Sequence, residues 1–195
     1  MKFKFTIQPY QTEAVESVVG VFAGQPFNDR FTYRRDVEIK RDVTNWMIPE
    51  EELYMGFANA RVQLDSGQLL NNIRRIQTRN NIKLSETVTT GGLGTCSLDV
   101  EMETGTGKTY VYIKTMFELN KQYGWSKFIV VVPSVAIREG VRKSFETMQD
   151  HFMEYYGKKA RFFVYDSKNL VEIDNFSQSA DINVMIINIQ AFNAR

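Results

Sequence analysis

One short run of residues combines glycine, lysine and threonine at a spacing that could hold a phosphate chain. It is Gly105-Thr106-Gly107-Lys108-Thr109. The glycines let the main chain turn tightly, so that successive N–H groups surround an anion close to a helix N-terminus. Lys108 can reach the β- and γ-phosphates, and the Thr109 hydroxyl can ligate Mg²⁺. The run therefore predicts a site for a nucleoside triphosphate with Mg²⁺.

The flanking residues decide how specific this motif is. The full pattern places another glycine where this chain has Met102, so only the inner Gly-x-Gly-Lys-Thr core is matched. An ordinary glycine-containing turn with a surface lysine is the competing interpretation. A strand predicted at 97–102 and a helix predicted at about 108–122 favour the phosphate site, because such a loop joins a strand to a helix. The alternation of Leu98 and Val100 with acidic residues is unusual for a central parallel strand.

The second half of the chain alternates between strand and helix patterns. After the first helix we expect a strand at 128–132, a helix over about 136–153, and strands at 160–165 and 183–188. Strands 128–132 and 183–188 are continuous apolar runs, as in parallel strands that are covered on both faces. The pattern predicts an α/β fold with a mainly parallel sheet.

The first half is predicted to be helical in two places and irregular between them. Pro9 begins a helix over about 9–23, and a second helix between 65 and 80 carries arginines on its outer side. Those arginines are either a solvated face or a nucleic-acid or partner contact. Residues 25 to about 52 show little regular pattern. We divide the chain into an N-terminal helix (1–24), an insertion of unknown role (25–95) and the first part of a nucleotide-binding domain (96–195).

Composition narrows the classes of protein. The 24 basic and 23 acidic residues give a formal charge of +1, so any contact with nucleic acid must be local. The single Cys96 excludes an intramolecular disulfide and a cysteine-rich metal site, and it is expected to be a small buried side chain. The single His151 is expected at the surface or in packing. We find neither a membrane-length apolar run nor a signal-peptide core, so a cytoplasmic location is expected.

Two longer segments resemble a known family. Residues 100–110 (VEMETGTGKTY) and 128–141 (FIVVVPSVAIREGV) are similar, at the expected spacing, to two helicase motifs of the Res subunits of type III restriction enzymes. That family belongs to the superfamily 2 helicases and translocases, and its first motif has Met in place of the outer glycine. Pro9-Tyr10-Gln11 and residues 187–193 resemble further segments of the family. The resemblance implies a partial RecA-like ATP-binding domain, preceded by an irregular and helical N-terminal insertion.

The resemblance also implies roles for individual residues. It assigns ATP binding to Gly105, Thr106, Gly107, Lys108 and Thr109, Mg²⁺ ligation to Thr109, adenine selection to Gln11, and DNA contact to Pro133, Ser134 and Arg138. Simpler explanations compete for some of these residues. Gln11 fits an exposed position in a first helical turn, Pro133 and Ser134 fit a strand exit and a helix N-cap, and Arg138 fits a surface charge.

The function implied by the resemblance is that of the N-terminal part of an ATP-dependent restriction subunit. The whole enzyme would move along double-stranded DNA and cleave it together with a modification (methyltransferase) subunit. We assign no catalytic residue, because no acidic strand-end motif follows 183–188, and we expect the 195 residues alone to be inactive. Glu172 and Asp174 are expected on a solvated edge or loop. The alternatives are another superfamily 2 DNA or RNA helicase, or a non-catalytic nucleotide-binding or interaction module.

Overall fold

The computed structural model describes residues 5–35, 55–91 and 94–193. Within them the helices are α1 (Pro9–Gly20), α2 (Ser66–Arg79), α3 (Lys108–Tyr123), α4 (Val135–Tyr156), α5 (Leu170–Gln178) and α6 (Ile189–Asn193). The strands are β1 (Thr32–Arg34), β2 (Met55–Phe57), β3 (Lys127–Val132), β4 (Arg161–Val164) and β5 (Asn183–Asn188). Four predicted helices are thereby confirmed, with ends that differ by a few residues.

The three longer strands form one parallel sheet in the order β3-β5-β4. Phe128 of β3 and Phe162 of β4 both lie opposite Val184, which is fully buried in the central strand. The strands connect through helices, as parallel neighbours require. The predicted α/β fold with a parallel sheet is confirmed, and the N-terminal α1 and α2 stand outside this sheet.

The strand predicted at 97–102 is not formed. The chain runs there without a turn or a bend, and none of the strands in the described residues pairs with it. Leu98 packs against the cluster that contains Leu64 and Leu69, and Met102 packs against the cluster that contains Val15 and Val19. The segment is therefore held by side-chain packing on α1 and α2, whereas a strand needs a hydrogen-bonded neighbour.

The prediction that β3 is covered on both faces is wrong. Val132 is buried and Phe128 and Val130 pack on the core, but Ile129 is 50% exposed and Val131 is 43% exposed. An apolar run reports the character of both faces of a strand but not which elements cover them. The central strand β5, in contrast, is buried as its sequence predicts.

The core between α3, α4 and the sheet is rich in aromatic residues. Phe117 and Phe152 stack with their ring centroids 4.8 Å apart, and Tyr156 stacks on Phe117 at 5.0 Å. The Nε2 atom of His151 and the hydroxyl of Tyr110 share a hydrogen bond of 3.1 Å. Tyr110 is the first buried residue of α3. The packing role predicted for His151 is confirmed.

Part of the predicted insertion braces the loop between α3 and β3. The Asn59 side chain accepts from the N–H groups of Ser126 and Lys127 at 2.8 Å, and it donates to the carbonyl of Lys127 at 2.7 Å. The Trp125 indole N–H donates to the carbonyl of Ala60 at 3.0 Å. Asparagine has the two donors and the oxygen acceptor that this arrangement needs. Residues 58–60 thus fix the start of β3.

Three smaller expectations have different outcomes. Glu172 and Asp174 lie in helix α5 rather than in a loop, while Asp174 is exposed and Glu172 is half-buried. Cys96 is half-buried rather than fully buried, and burial raises the pKa of its thiol. The prediction of little regular structure over 25–52 falls largely on residues 36–54, which lie outside the described residues; β1 is a short strand within the remainder.

Lys127 is a partly buried ammonium group at the start of β3. It donates to the carbonyl oxygens of Phe176 and Ser179 at the end of α5. Burial lowers the pKa of Lys127, nearby Asp181 opposes this shift and nearby Arg161 adds to it, so that the pKa lies at about 8. The folded chain therefore binds this proton less tightly than the unfolded chain.

The free energy of unfolding is expected to rise between about pH 8 and pH 10, because the unfolded chain binds more protons in that range. The gain is expected to be no more than about 1 kcal/mol, since the ammonium group remains partly solvated. Urea unfolding at several pH values measures it. Lys127→Met is expected to lose the rise, whereas the exposed-lysine control Lys143→Met keeps it. If the free energy of unfolding depends on pH equally in the unsubstituted protein, Lys127→Met and Lys143→Met, Lys127 is not the group responsible for the rise.

Among the residues that the structure describes, no helix combines the length and apolar character needed to cross a membrane.

Candidate nucleotide-binding site

The glycine-rich loop takes the shape that its sequence predicts. Gly105 and Gly107 have φ values of +84° and +88°, a backbone region that costs other residues about 1–2 kcal/mol. Gly107 is the N-cap of α3 and supplies no side-chain hydrogen bond to the first turn. By contrast, α2 is capped by Asp65 and α4 by Ser134. The N–H groups at the start of α3 are thus left for another acceptor.

Lys108 and Thr106 both fold back onto one carbonyl at the beginning of the loop. The Lys108 ammonium donates to the Glu103 carbonyl at 3.0 Å, and the Thr106 hydroxyl donates to the same oxygen at 2.7 Å. Lys108 is exposed and makes no ion pair within the described ranges. A single hydrogen bond to a neutral carbonyl holds it, so a phosphate oxygen could replace that partner with a charge-assisted bond.

Helix α1 meets the loop directly through Gln11. The Gln11 amide donates to the Thr106 carbonyl at 3.0 Å, and the Tyr10 hydroxyl donates to the same carbonyl at 3.2 Å. A Cβ atom on Gly107 would lie 2.6 Å from the Gln11 amide nitrogen, so the Gln11 side chain would have to shift, while the left-handed backbone at φ +88° favours glycine there. Gln11 is 8% exposed, and its predicted position as an exposed first-turn residue is wrong.

A brace further along holds α1 against α3. Lys114 is only 4% exposed and donates to the Thr12 hydroxyl at 3.1 Å. Burial lowers the pKa of Lys114, although Glu118 and Glu16 oppose the shift. The Tyr123 hydroxyl donates to a main-chain carbonyl of α1 at 3.0 Å. These buried contacts make α1 part of the loop's support, which fixes Gln11 relative to Gly107.

Thr109 is the second residue of α3 and is half-buried. The described residues contain no group of three or more His, Cys, Asp or Glu side chains that could hold a metal ion. A single hydroxyl ligand suits Mg²⁺, which keeps several of its waters and takes the remaining oxygens from phosphates. The donor set thus fits magnesium brought in with a nucleotide.

Pro133, Ser134 and Arg138 lie together at the junction of β3 and α4. Ser134 caps α4, since its hydroxyl accepts from the Ile137 N–H at 3.3 Å. Arg138 pairs with Glu139 at 3.2 Å, and the same carboxylate accepts from Arg142 at 3.0 Å. Hydrogen bonds from Arg142 and then from Arg138 lower the pKa of Glu139. The N-cap explanation of Ser134 is therefore correct, while a DNA contact by these residues stays a prediction.

The loop leaves room for a bound phosphate chain. A Cβ built on Gly105 would meet nothing within 4 Å, so the main chain there borders open space. Open space beside a glycine-rich turn, an uncapped helix N-terminus and a replaceable lysine contact together fit a triphosphate with magnesium. Helix dipole and lysine both favour an anion at this position.

Loop and sheet together define an α/β domain of the P-loop class. A family model described as "Type III restriction enzyme, res subunit" matches residues 57–195, which is more than half of the chain. The chain belongs to this family of Res subunits, within the superfamily 2 helicases. The resemblance noted in the sequence is thereby confirmed.

Individual relatives carry the same description. The Res subunit of the type III restriction-modification enzyme EcoP15I of Escherichia coli is 34% identical over 156 residues, which are 71% of this chain and 16% of that protein. The EcoPI Res subunit of Escherichia phage P1 is 32% identical over 148 residues, or 67% of this chain and 15% of that protein. The StyLTI Res subunit of Salmonella typhimurium is 50% identical over 62 residues, which are 31% of this chain and 6% of that protein. This chain thus spans less than a fifth of each relative.

Sequence reasoning missed Tyr10, Thr12 and Lys114 as members of the site. Tyr10 stands next to Gln11, so its contact with the loop follows once α1 is placed there. The contact between Thr12 and Lys114 joins residues 102 positions apart. No local pattern reports such a pairing, although a lysine on the apolar face of a predicted helix is a signal that it has a buried partner.

Proposed function

We propose that this chain forms the phosphate- and adenine-binding half of an ATP site in a restriction motor. The observation that supports this most strongly is the bond from the Gln11 amide to the Thr106 carbonyl. It holds a base-reading side chain and a phosphate-binding loop in one rigid unit. A solvated turn with a surface lysine would not need a buried glutamine bonded to it.

The proposed binding step is an exchange of partners at the loop. Lys108 leaves the Glu103 carbonyl and donates to the β- and γ-phosphates, while N–H groups at the start of α3 donate to the same chain. Thr109 ligates Mg²⁺ through its hydroxyl. The bound nucleotide and metal would supply the phosphoryl group and its charge neutralisation. Lys108 and Thr109 bind and orient the nucleotide and its metal ion. Neither residue activates the attacking water.

The base-reading step depends on the second polar atom of Gln11. Its nitrogen is committed to Thr106, so its oxygen is the acceptor that remains for a ligand. An acceptor pairs with the exocyclic amino group of adenine but opposes the carbonyl oxygen that guanine carries at that position. The proposed nucleotide is accordingly ATP rather than GTP.

Gln11→Ala is expected to lower the affinity for Mg·ATP by about tenfold and to leave the affinity for Mg·GTP nearly unchanged, which removes the preference for adenine. Competition against a fluorescent nucleotide analogue measures both. Tyr10→Phe is the matched control, because it removes the other bond to the Thr106 carbonyl and leaves the Gln11 oxygen in place. An equal loss for ATP and GTP in Gln11→Ala would refute base reading.

For the whole polypeptide we propose ATP-driven movement along double-stranded DNA and cleavage together with a modification subunit. Membership of the Res family supports this, as do the names of the relatives. Pro133, Ser134 and Arg138 are the proposed DNA contacts in this chain. Arg138 has a carboxylate partner, so binding DNA requires an exchange of Glu139 for a phosphate. A full-length protein with Arg138→Ala should lose DNA-stimulated ATP hydrolysis while basal hydrolysis persists, and loss of both would contradict this role.

A further inference from the structure

Lys114 is a buried ammonium group that the proposed binding step does not use. It lies in the second turn of α3 and is only 4% exposed. Its Nζ atom donates to the Thr12 hydroxyl at 3.1 Å and lies 5.9 Å from the centre of the Tyr155 ring. Within the part of the chain that the structure describes, it forms no ion pair with a carboxylate. The nearest polar partner of this charge is therefore a neutral hydroxyl.

A buried charge beside a neutral partner opposes folding. Burial lowers the pKa of Lys114, and the more distant carboxylates of Glu118 and Glu16 only oppose that shift. An apolar side chain of similar length would fill the same space without removing a charge from water. Stability alone therefore does not account for a lysine at this position. What a lysine adds is the hydrogen bond to Thr12.

The first turn of α1 has few attachments of its own. Its N-cap residue, Gln8, makes no side-chain hydrogen bond to the helix. The nearly fully buried Val15 and Val19 pack in the core and hold α1 from its second turn onward. The orientation of Gln11 consequently depends on the side-chain hydrogen bonds of the first turn.

These hydrogen bonds end in two places. The Tyr10 hydroxyl and the Gln11 amide both donate to the Thr106 carbonyl, which belongs to the loop whose contacts change in the proposed binding step. The bond between Thr12 and Lys114 ends instead on α3, beyond the loop. It ties the first turn of α1 to a helix that does not need to rearrange when a nucleotide binds.

We propose that Lys114 is a positioning residue for base selection, which it serves by holding the first turn of α1 through Thr12 so that the Gln11 oxygen faces the base. This role rests on the proposed function, in which Gln11 reads adenine. Lys114 itself contacts no part of the nucleotide, and the phosphate and metal contacts of Lys108 and Thr109 do not pass through it. Loss of the bond is expected to weaken the choice of base and to spare the binding of phosphates.

The test compares Mg·ATP, Mg·GTP and Mg·tripolyphosphate by competition against a fluorescent nucleotide analogue. Lys114→Met is expected to lower the affinity for Mg·ATP about fivefold and to change the other two affinities less than about twofold. Thr12→Val removes the acceptor and leaves α3 unaltered, so it is expected to give the same result even if Lys114→Met does not fold.

The matched control is Thr115→Val. Thr115 is the buried neighbour of Lys114, but its hydroxyl donates to the Val111 carbonyl within α3 at 2.8 Å. This variant loses a threonine hydroxyl as Thr12→Val does, and it is expected to keep the preference for ATP. Equal losses of that preference in Thr12→Val and Thr115→Val would overturn the proposal.

A double variant tests whether Lys114 acts through Gln11. Gln11→Ala combined with Lys114→Met is expected to bind Mg·ATP about as weakly as Gln11→Ala alone, because the side chain to be positioned is already absent. A loss of about 50-fold, the product of the two single effects, would overturn the proposal. In the nucleotide-free chain, the NMR signal of the Gln11 side-chain amide is expected to shift in Lys114→Met and in Thr12→Val. An unchanged signal in both variants would also overturn it.

Failure of this role and failure of the proposed function give different results. Equal binding of Mg·ATP and Mg·GTP by the unsubstituted chain would show that Gln11 does not select the base, and both would then fail. A preference for ATP that persists in Lys114→Met and Thr12→Val would overturn only the role of Lys114.

Discussion

Lys108→Ala is expected to lower the affinity for Mg·ATP by about 10- to 100-fold, because it removes a charge-assisted bond to the phosphates. Its free energy of unfolding should stay within about 0.5 kcal/mol of the original. Lys108 is exposed, and in the folded protein it makes one hydrogen bond to the Glu103 carbonyl. Little folding energy therefore depends on it.

The control for Lys108→Ala is Lys121→Ala. Lys121 is an exposed lysine in the last turn of the same helix, so its removal changes the net charge equally but leaves the loop intact. Calorimetry gives the affinity and urea unfolding gives the stability. A similar loss of affinity in both variants would mean that ATP responds to overall charge rather than to the loop.

Gly124→Ala is expected to destabilise the fold by about 3 kcal/mol or more. Gly124 ends α3 with φ +80°, and an added Cβ would lie 2.5 Å from the carbonyl carbon and oxygen of Asn28 and 2.6 Å from the nitrogen of Asp29. These are main-chain atoms, so they cannot move aside as a flexible side chain would. The Asn28 N–H also donates to the Tyr123 carbonyl at 3.1 Å, which fixes the approach.

Gly157→Ala is the matched control for Gly124→Ala. Gly157 ends α4 in the same left-handed conformation, with φ +66°, but a Cβ there would meet nothing within 4 Å. Only the backbone strain of about 1–2 kcal/mol is then expected. Urea midpoints of the two variants measure the difference. Equal destabilisation would show that residues 28–29 do not press on this turn.

The elements that the sequence predicted well are those whose patterns are local. Helix α3 shows its apolar periodicity and ends at Gly124, and β5 shows an unbroken apolar run, so both were predicted with close bounds. The glycine-rich loop was predicted because its chemistry needs particular residue types at particular spacing. Its left-handed glycines follow from that requirement.

The elements that were predicted wrongly depend on partners distant in sequence. Residues 97–102 alternate like a strand, but a strand exists only with a hydrogen-bonded neighbour, and side-chain packing on α1 and α2 holds this segment instead. The exposed face of β3 is a similar case, because the apolar character of Ile129 does not say what covers it. The burial of Gln11 depends on Thr106, 95 positions away.

The most direct test of an ATP site built from α1 and the loop is an NMR titration of the 195-residue chain with Mg·ATP. Site-resolved shifts detect even weak binding. Shifts are expected at the amides of Gly105, Gly107, Lys108 and Thr109 and at the side-chain amide of Gln11, and none of these shifts is expected in Lys108→Ala. Absence of shifts at these amides up to the solubility limit of the nucleotide, or shifts confined to other surfaces, would contradict it.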